Sequence, residues 1–259
     1  MITSLTNPKI KLVRALQTHR RAREQERLFV IEGVRLAEEA SRAQIAPHLV
    51  LHTDPLVARG QAALNQLARL GAPVEIVSPQ VMASISDTET PQGLLAVLPL
   101  PSAREAILPP SSLSFSLVLD RISDPGNLGT LLRTAAAAGV QAVFLAPGTV
   151  DLYNPKVVRA AVGAHFHLPL VEASWEELRD PLSRLVVWLA EAREGEAYDR
   201  VDWRQPCALV IGSEAEGPSE AARQFTPRRV HIPMPGPTES LNAAVAAGVL
   251  LFEAARQRR

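Results

Sequence analysis

The 259-residue sequence has little cysteine, no long apolar run and no net charge. Cys207 is its single cysteine, which excludes an intramolecular disulfide and a zinc or iron–sulfur site built from several cysteines. No stretch of about 18 apolar residues occurs, and the N-terminus lacks the uninterrupted apolar core of a secretion signal. We therefore expect a cytoplasmic protein that is neither exported nor inserted in a membrane.

Charge is balanced over the whole chain, because 27 Lys and Arg residues accompany 27 Asp and Glu residues. This balance excludes the protein-wide cationic field that would by itself indicate nucleic-acid binding. The segment Lys9–Arg27, called the basic segment below, nevertheless holds seven basic residues and only two acidic ones. Such a run either forms a solvated helix face or lies along nucleic-acid phosphates.

At about 150 residues per domain, the length allows one large domain or two modest ones. Helical and extended patterns alternate over the first hundred residues, and residues 99–116 follow with four prolines, five serines and little periodicity. We place a domain boundary in this stretch. Residues 1–105 then form a small α/β domain, and residues 106–259 form a second one.

The second domain alternates compact apolar segments with helical patterns, which is typical of a mainly parallel sheet covered by helices. The fold class is therefore α/β. The predicted strands are Leu117–Leu119, Ala142–Leu145, Leu185–Leu189, Leu209–Ile211 and Val230–Ile232.

Two further patterns predict which way side chains face. His165 and His167 alternate with Phe166, which predicts a strand with side chains on both faces and assigns these histidines no chemistry. The last segment, residues 240–258, predicts a helix. Its apolar stripe consists of Leu241, Val245, Val249 and Phe252.

Open α/β sheets bind ligands at the carboxyl ends of their strands, so the loops after the predicted strands carry most information. The first such loop passes through a Pro-Gly turn into a helix, with Asn127 at the expected N-cap and Arg133 further along. By itself it also fits a plain capped helix with a surface arginine. Its glycine spacing is not the G-x-G-x-x-G of a dinucleotide-binding loop.

The second loop, IGSEAEGPS, has Gly212 and Gly217 for close backbone approach and Glu214 and Glu216 between them. Paired acids suit acid–base chemistry or helix capping equally, and no nearby histidine spacing indicates a metal site. In the third loop, after Ile232, three prolines restrict the backbone, which suits recognition of adenine by main-chain groups. Ser240 is the expected N-cap of the final helix.

Together, DPGNLGTLLRTAAAAG, IGSEAEG and IPMPGPTESLNAAVAAG resemble, in order, the three motifs of the SpoU/TrmH family of RNA ribose 2′-O-methyltransferases, members of the SPOUT class. NPKIK and FVIEGVRLAEEA are similar to the substrate-binding domain that precedes the catalytic domain in many of these enzymes. The resemblance implies a C-terminal trefoil-knotted catalytic domain that dimerises and binds S-adenosylmethionine. It also implies a smaller N-terminal α/β domain that binds RNA.

The same resemblance assigns roles to individual residues. Cofactor contacts fall to Gly212, Ile232 and Leu241, with Met234 and Ser240 close by. The catalytic positions are Asn127, Arg133, Glu214 and Asn242, and Arg133 matches the residue that activates the ribose hydroxyl. Ala161 stands where the family often has serine. In the basic segment, the expected RNA contacts are Lys9, Lys11, Arg20, Arg21 and Arg23.

The implied activity is methylation of a ribose 2′-hydroxyl by a homodimer without a metal, in ribosomal RNA rather than transfer RNA. Arginine side chains have a pKa above about 12, so Arg133 is an unusual general base. Either it loses its proton after desolvation, or it stays cationic and stabilises the alkoxide while a substrate phosphate or water takes the proton. We favour the second route.

Two other hypotheses compete with that of an RNA methyltransferase. A non-catalytic RNA-binding dimer on the same fold would have no need for Asn127, Arg133, Glu214 and Asn242 together. An oxidoreductase that uses a dinucleotide would need a glycine-rich first turn, which the spacing here does not provide.

Overall fold

The structure is a computed structural model that describes residues 1–101, 112–213 and 216–259. Contacts divide the chain into two compact units. The first unit is Met1–Pro101 with Asp151–Phe166, and the second is Ser102–Val150 with His167–Arg259. The expected boundary between residues 105 and 106 lies outside the described residues and stays a prediction. Asp151–Phe166 pack within the first unit although they follow that boundary in the sequence.

The first unit contains a mixed sheet of four strands, in the order β1-β4-β2-β3. β4 pairs antiparallel with β1 and β2, and β2 pairs parallel with β3. The strands are β1 (Leu28–Glu32), β2 (Leu49–His52), β3 (Val74–Ile76) and β4 (Leu94–Pro99). The helices described in this unit, numbered along the whole chain, are α1 (Pro8–Thr18), α2 (Arg20–Glu26), α3 (Val34–Arg42), α4 (Ala58–Arg69), α5 (Pro79–Ile85) and α7 (Pro155–Ala161).

Both faces of this sheet are covered, because alternate residues of a strand enter different cores. Phe29 and Ile31 of β1 join one apolar cluster, which also takes in α3, α4 and Val158 of α7. Leu28 and Val30 join a second cluster with α1 and α5. Because both of its faces are buried, β1 is a continuous apolar run in the sequence.

Asp151–Phe166 are held in the first unit by a buried ion pair and by aromatic packing. Arg23 is only 4% exposed, and its Nε donates to the Asp151 carboxylate at 3.0 Å. The rings of Phe29 and Tyr153 lie 4.9 Å apart, centroid to centroid. The ion pair and the ring contact tie two distant parts of the sequence into one core.

His165 lies in a 3-10 turn, Ala164–Phe166, so the predicted strand at this point is wrong. Gly163, with φ +93°, turns the chain directly after α7 and prevents an extended path. The buried His165 ring is 2.8 Å from the Leu152 carbonyl oxygen through Nε2. Because a carbonyl only accepts, Nε2 carries the proton. Burial lowers the pKa of His165 to about 4, so the ring is neutral at pH 7.

The second unit is built on a sheet of seven strands, all parallel, in the order β7-β6-β5-β10-β8-β11-β9. The five strands predicted for this part of the chain are confirmed. The two strands at the edges of the sheet are only three and two residues long, which is too short for a recognisable sequence pattern. The strands are β5 (Phe115–Leu119), β6 (Ala142–Leu145), β7 (Leu170–Glu172), β8 (Val186–Ala190), β9 (Glu196–Ala197), β10 (Cys207–Ile211) and β11 (Arg229–His231). The α-helices described with them are α6 (Pro125–Ala137), α8 (Glu220–Phe225) and α9 (Ala243–Gln257).

The predicted final helix is confirmed as α9, but the face expected to be its apolar stripe does not point inward. Val245 is 54% exposed and Phe252 is 47% exposed. The inward face is mostly alanine, whose small side chain adds little to a pattern of large apolar residues. Its buried residues are Ala243, Ala244, Ala247, Leu250, Leu251 and Ala254. Among the described residues, no helix combines the length and apolar character needed to cross a membrane.

Candidate active site

A cavity of about 260 Å³ opens at the carboxyl edge of the parallel sheet in the second unit. Residues that follow β8, β10 and β11 form its wall together with the start of α9. Parallel strands place their carboxyl ends at one edge, which brings these distant loops together. All the residues assigned to the cofactor line this cavity: Gly212, Ile232, Met234, Ser240 and Leu241.

The second loop folds back tightly on itself beside the cavity. Ser213 and Gly217 form an isolated bridge, and a Cβ added at Gly212 would lie 2.6 Å from the backbone of Pro218. Only glycine avoids that overlap without a shift of the backbone. Gly212, Gly217 and Pro218 all line the cavity, so the fold of this loop shapes the wall.

Asp120, a residue that the sequence motifs did not single out, holds the far end of this loop. It directly follows β5 and is fully buried. Its carboxylate accepts the Ser219 backbone N–H at 2.6 Å and the Ser219 hydroxyl at 3.0 Å. Ser219 in turn caps α8 by accepting the Ala222 N–H. The sequence signal for it was a carboxylate directly after the apolar run Leu117–Leu119, because a carboxylate that is buried there must be hydrogen-bonded.

A second link joins the first and second loops. Arg121 forms an ion pair with Glu216, whose side chain is 69% exposed. Arg121 has φ +58°, an uncommon conformation for a residue other than glycine. Glu214, assigned a catalytic role from the sequence, lies outside the described residues.

Asn127 and Asn242 meet between α6 and α9. Asn242 Nδ2 donates to Asn127 Oδ1 at 3.1 Å, and Asn242 Oδ1 accepts the N–H groups of Ala244 and Val245. Asn242 is therefore the N-cap of α9, and the expectation that Ser240 caps this helix is wrong.

The N-cap of α6 is also displaced from the predicted residue. Asp124 accepts the Asn127 N–H at 2.7 Å, and Pro125 occupies the first helical position. Because proline fits best at this first position, the cap falls on Asp124, and the prediction of Asn127 is wrong. Asn127 therefore lies inside the first turn, and its side chain accepts a hydrogen bond from the N-cap residue of α9.

Arg133 is exposed on α6 and makes no hydrogen bond or ion pair with a described residue. It follows Asn127 by six residues, which at 100° per residue turns it about 120° around the helix. The structure therefore brings Asn127 and Asn242 together but does not bring Arg133 to them. Neither Asn127, Asn242 nor Arg133 lines the cavity itself.

The cavity wall suits an adenosyl ligand such as S-adenosylmethionine. Apolar side chains, among them Ile232, Leu241 and Leu250, can cover a planar base. Backbone groups of Gly212 and Ser213 offer polar partners, whereas the Glu191 carboxylate forms an ion pair with Arg223. Glu191 directly follows β8 and is the one charged side chain among the described residues of the wall; the sequence motifs did not single it out.

The residues expected to contact RNA do not share one environment in the first unit. Lys11, Arg20 and Arg21 are exposed on α1 and α2. Lys9 is partly exposed and pairs with Glu75. Arg23 cannot present its charge to a ligand, because it is buried against Asp151; the sequence could not show this, since the two residues are 128 positions apart.

Comparison with known proteins agrees with this geometry. Residues 114–252 match the SpoU rRNA Methylase family, and residues 7–96 match the MRM3-like substrate binding domain. The chain is 33% identical to the 23S rRNA (guanosine(2553)-2′-O)-methyltransferase RlmP of Bacillus subtilis, over 97% of each protein.

Two solved structures with bound AdoMet are also similar to this chain. One is an rRNA methyltransferase from Sinorhizobium meliloti, with a TM-score of 0.86 and 29% identity over 98% of this chain and 97% of that one. The other is the SpoU methyltransferase AviRb from Streptomyces viridochromogenes, with a TM-score of 0.83 and 28% identity over 97% of this chain and 99% of that one.

Replacing the buried carboxylate that holds the second loop tests this part of the site. We expect Asp120→Asn to lower the free energy of unfolding by about 1–3 kcal/mol, because the amide nitrogen of asparagine then faces one of the two Ser219 donors. Urea unfolding measures the change. Asp202→Asn is the matched control, since its exposed pair with Arg204 should leave stability unchanged. An equal loss in both variants would contradict the role given to Asp120.

Proposed function

This chain belongs to the SpoU rRNA methylase family, and on that premise we propose that it transfers a methyl group from S-adenosylmethionine to a ribose 2′-hydroxyl in ribosomal RNA. One observation carries the proposal: residues from two separate motifs, predicted to bind the cofactor, line a single cavity. Asn242, between Leu241 and Ala243 of the wall, adjoins that cavity. Relatives whose names specify rRNA favour ribosomal over transfer RNA.

The protein's own chemical task is to align and activate a ribose oxygen. S-adenosylmethionine, when bound, supplies an electrophilic methyl group for an in-line displacement. Arg133 is exposed and unpaired with any described residue, so its guanidinium can meet the substrate. We assign it the cationic role: it stabilises the forming alkoxide while a substrate phosphate or water accepts the proton.

Asn127 and Asn242 act as positioning residues in this proposal. Their hydrogen bond joins α6, which carries Arg133, to the start of α9, which lines the cavity. This link fixes the cation relative to the cofactor cavity. The catalytic role proposed for Glu214 is supported by the second sequence motif alone.

The proposal also covers the assembly and the path of the chain. We propose a homodimer that buries the exposed apolar stripe of α9, because Val245 and Phe252 otherwise face water. We propose a trefoil-knotted path in the second unit. Its support is the all-parallel sheet and the likeness to SpoU structures; a crystal structure traced through residues 102–111 and 214–215 checks it.

Methyl transfer to RNA tests the activity and the role of Arg133. Labelled S-adenosylmethionine is incubated with ribosomal and transfer RNA pools that lack the modification. We expect label in ribosomal RNA only, at the ribose 2′-oxygen. Arg133→Ala should lower the rate about a hundredfold or more, and Arg133→Lys should lower it less, because lysine keeps the charge.

Binding of S-adenosylhomocysteine, measured by calorimetry, is the control for these two variants and should persist in both. Equal loss of activity in the lysine and alanine variants would contradict a purely electrostatic role for Arg133. Label in the transfer RNA pool alone would identify transfer RNA as the substrate instead. The absence of both label and cofactor binding in wild type would favour the non-catalytic dimer.

The exposed cations of the basic segment should contact RNA phosphates. We expect the triple variant Lys11→Gln, Arg20→Gln, Arg21→Gln to bind an unmodified 23S ribosomal RNA transcript more weakly. The slope of log affinity against log salt should fall by about 0.7–0.9 for each lost contact. The matched control replaces Arg42, Arg59 and Arg69, exposed on α3 and α4, with glutamine. Equal slopes for both triples would contradict the assignment.

The oligomeric state tests the stripe on α9. Phe252→Glu places a charge in the proposed interface, so we expect light scattering after size exclusion to report a monomer. Phe252→Leu keeps an apolar side chain and should remain dimeric. A wild-type chain that is monomeric, or a Phe252→Glu variant that stays dimeric, would contradict this interface.

A further inference from the structure

Two consecutive residues of the first loop hold two points of the second loop. Asp120 accepts two hydrogen bonds from Ser219 through its buried carboxylate. Arg121 forms an ion pair with Glu216. The residues between these two points, 217–218, both line the cofactor cavity. This short piece of the cavity wall is therefore fixed at each end by a side chain from the first loop.

The two attachments differ in their exposure to water. The Asp120 carboxylate is fully buried, so its bonds to Ser219 are shielded from solvent and salt. The ion pair lies at the surface, because the side chains of Arg121 and Glu216 are 36% and 69% exposed. Exposed ion pairs are weak, and dissolved salt weakens them further. The second loop is thus held firmly at Ser219 and reversibly at Glu216.

The backbone and side chain of Arg121 are fixed by their neighbours. Arg121 has φ +58°, and the carbonyl oxygen of the next residue, Ile122, accepts the Val150 N–H at 2.9 Å. The side chain passes over Gly148, where an added Cβ would lie 3.1 Å from Arg121 Cγ. Uncommon backbone conformations that surrounding contacts impose are concentrated at functional sites. The guanidinium therefore meets Glu216 from a fixed position.

We propose that Arg121 is a positioning residue for the cofactor, because its ion pair with Glu216 holds the cavity wall at residues 217–218 in the conformation that binds S-adenosylmethionine. This assignment rests on the proposed function. Without the pair, the second loop is attached at Ser219 alone, and ordering of the wall then subtracts from the free energy of binding. Because salt screens the pair, it makes the affinity for the cofactor depend on salt.

Charge-removing variants of the full-length protein test this role. Calorimetry measures the affinity for S-adenosylhomocysteine at about 0.05 M and about 1 M NaCl. Arg121→Asn removes the charge, and asparagine tolerates the left-handed backbone conformation. We expect its Kd at low salt to be about two- to fivefold above that of wild type, the range that an exposed ion pair supports. Its Kd should change less with salt than that of wild type.

Three further variants separate the ion pair from other effects. Arg121→Lys keeps the charge and should bind more tightly than Arg121→Asn. Glu216→Gln should resemble Arg121→Asn, and combining the two substitutions should weaken binding no further. The matched control is Arg204→Gln, which breaks an exposed ion pair with Asp202 outside the cavity wall and should keep the affinity and salt dependence of wild type. Urea unfolding should give every variant the midpoint of wild type.

The opposite outcomes overturn the proposal in distinguishable ways. Additive losses in the double variant would show that Arg121 and Glu216 act separately. A lowered urea midpoint in Arg121→Asn, or a lysine variant that binds as weakly, would make Arg121 a structural residue. Unchanged affinity and salt dependence in Arg121→Asn would remove the ion pair from cofactor binding and leave the proposed function intact. A wild-type protein that does not bind S-adenosylhomocysteine would instead remove the proposed function.

Discussion

The common direction of the strands in the second unit is the constraint on which its site depends. Because β5, β10, β8 and β11 are neighbours and parallel, each ends at the same edge of the sheet. Four segments that are far apart in the sequence therefore converge there, beginning at Asp120, Glu191, Gly212 and Ile232. The segments converge because the strands are hydrogen-bonded to each other in parallel. The loops that follow the strands then supply the side chains of the site.

Those loops are held by a few polar contacts rather than by apolar packing. The buried carboxylate of Asp120 fixes Ser219, and Asn242 both caps α9 and reaches Asn127 on α6. In each case one side chain satisfies backbone groups and also joins two elements, so its removal would leave donors unpaired as well as loosen the loop. Gly212 contributes by having no side chain where the loop closes on Pro218.

In the first unit, burial changes the role of a charged side chain. Arg23 belongs to the basic segment, which the sequence predicts to be exposed. Its guanidinium instead forms an ion pair with Asp151 and donates hydrogen bonds to backbone carbonyls of α1. A charge removed from water must be paired, so Arg23 contributes to the core and not to a field outside it. Lys11 and Arg21, which belong to the same basic segment, remain at the surface.

The sequence alone determined the α/β class, the five main strands of the second unit and five of the residues that line its cavity, because these depend on local apolar periodicity and on short motifs. Tertiary structure alone decided which face of α9 is buried, where both helix caps fall and that Arg23 is internal. It also revealed Asp120 and Glu191. Each of these features depends on contacts with residues that are distant in the sequence. Neither a periodic pattern nor a short motif shows which distant residues will pack over a side chain and exclude water from it.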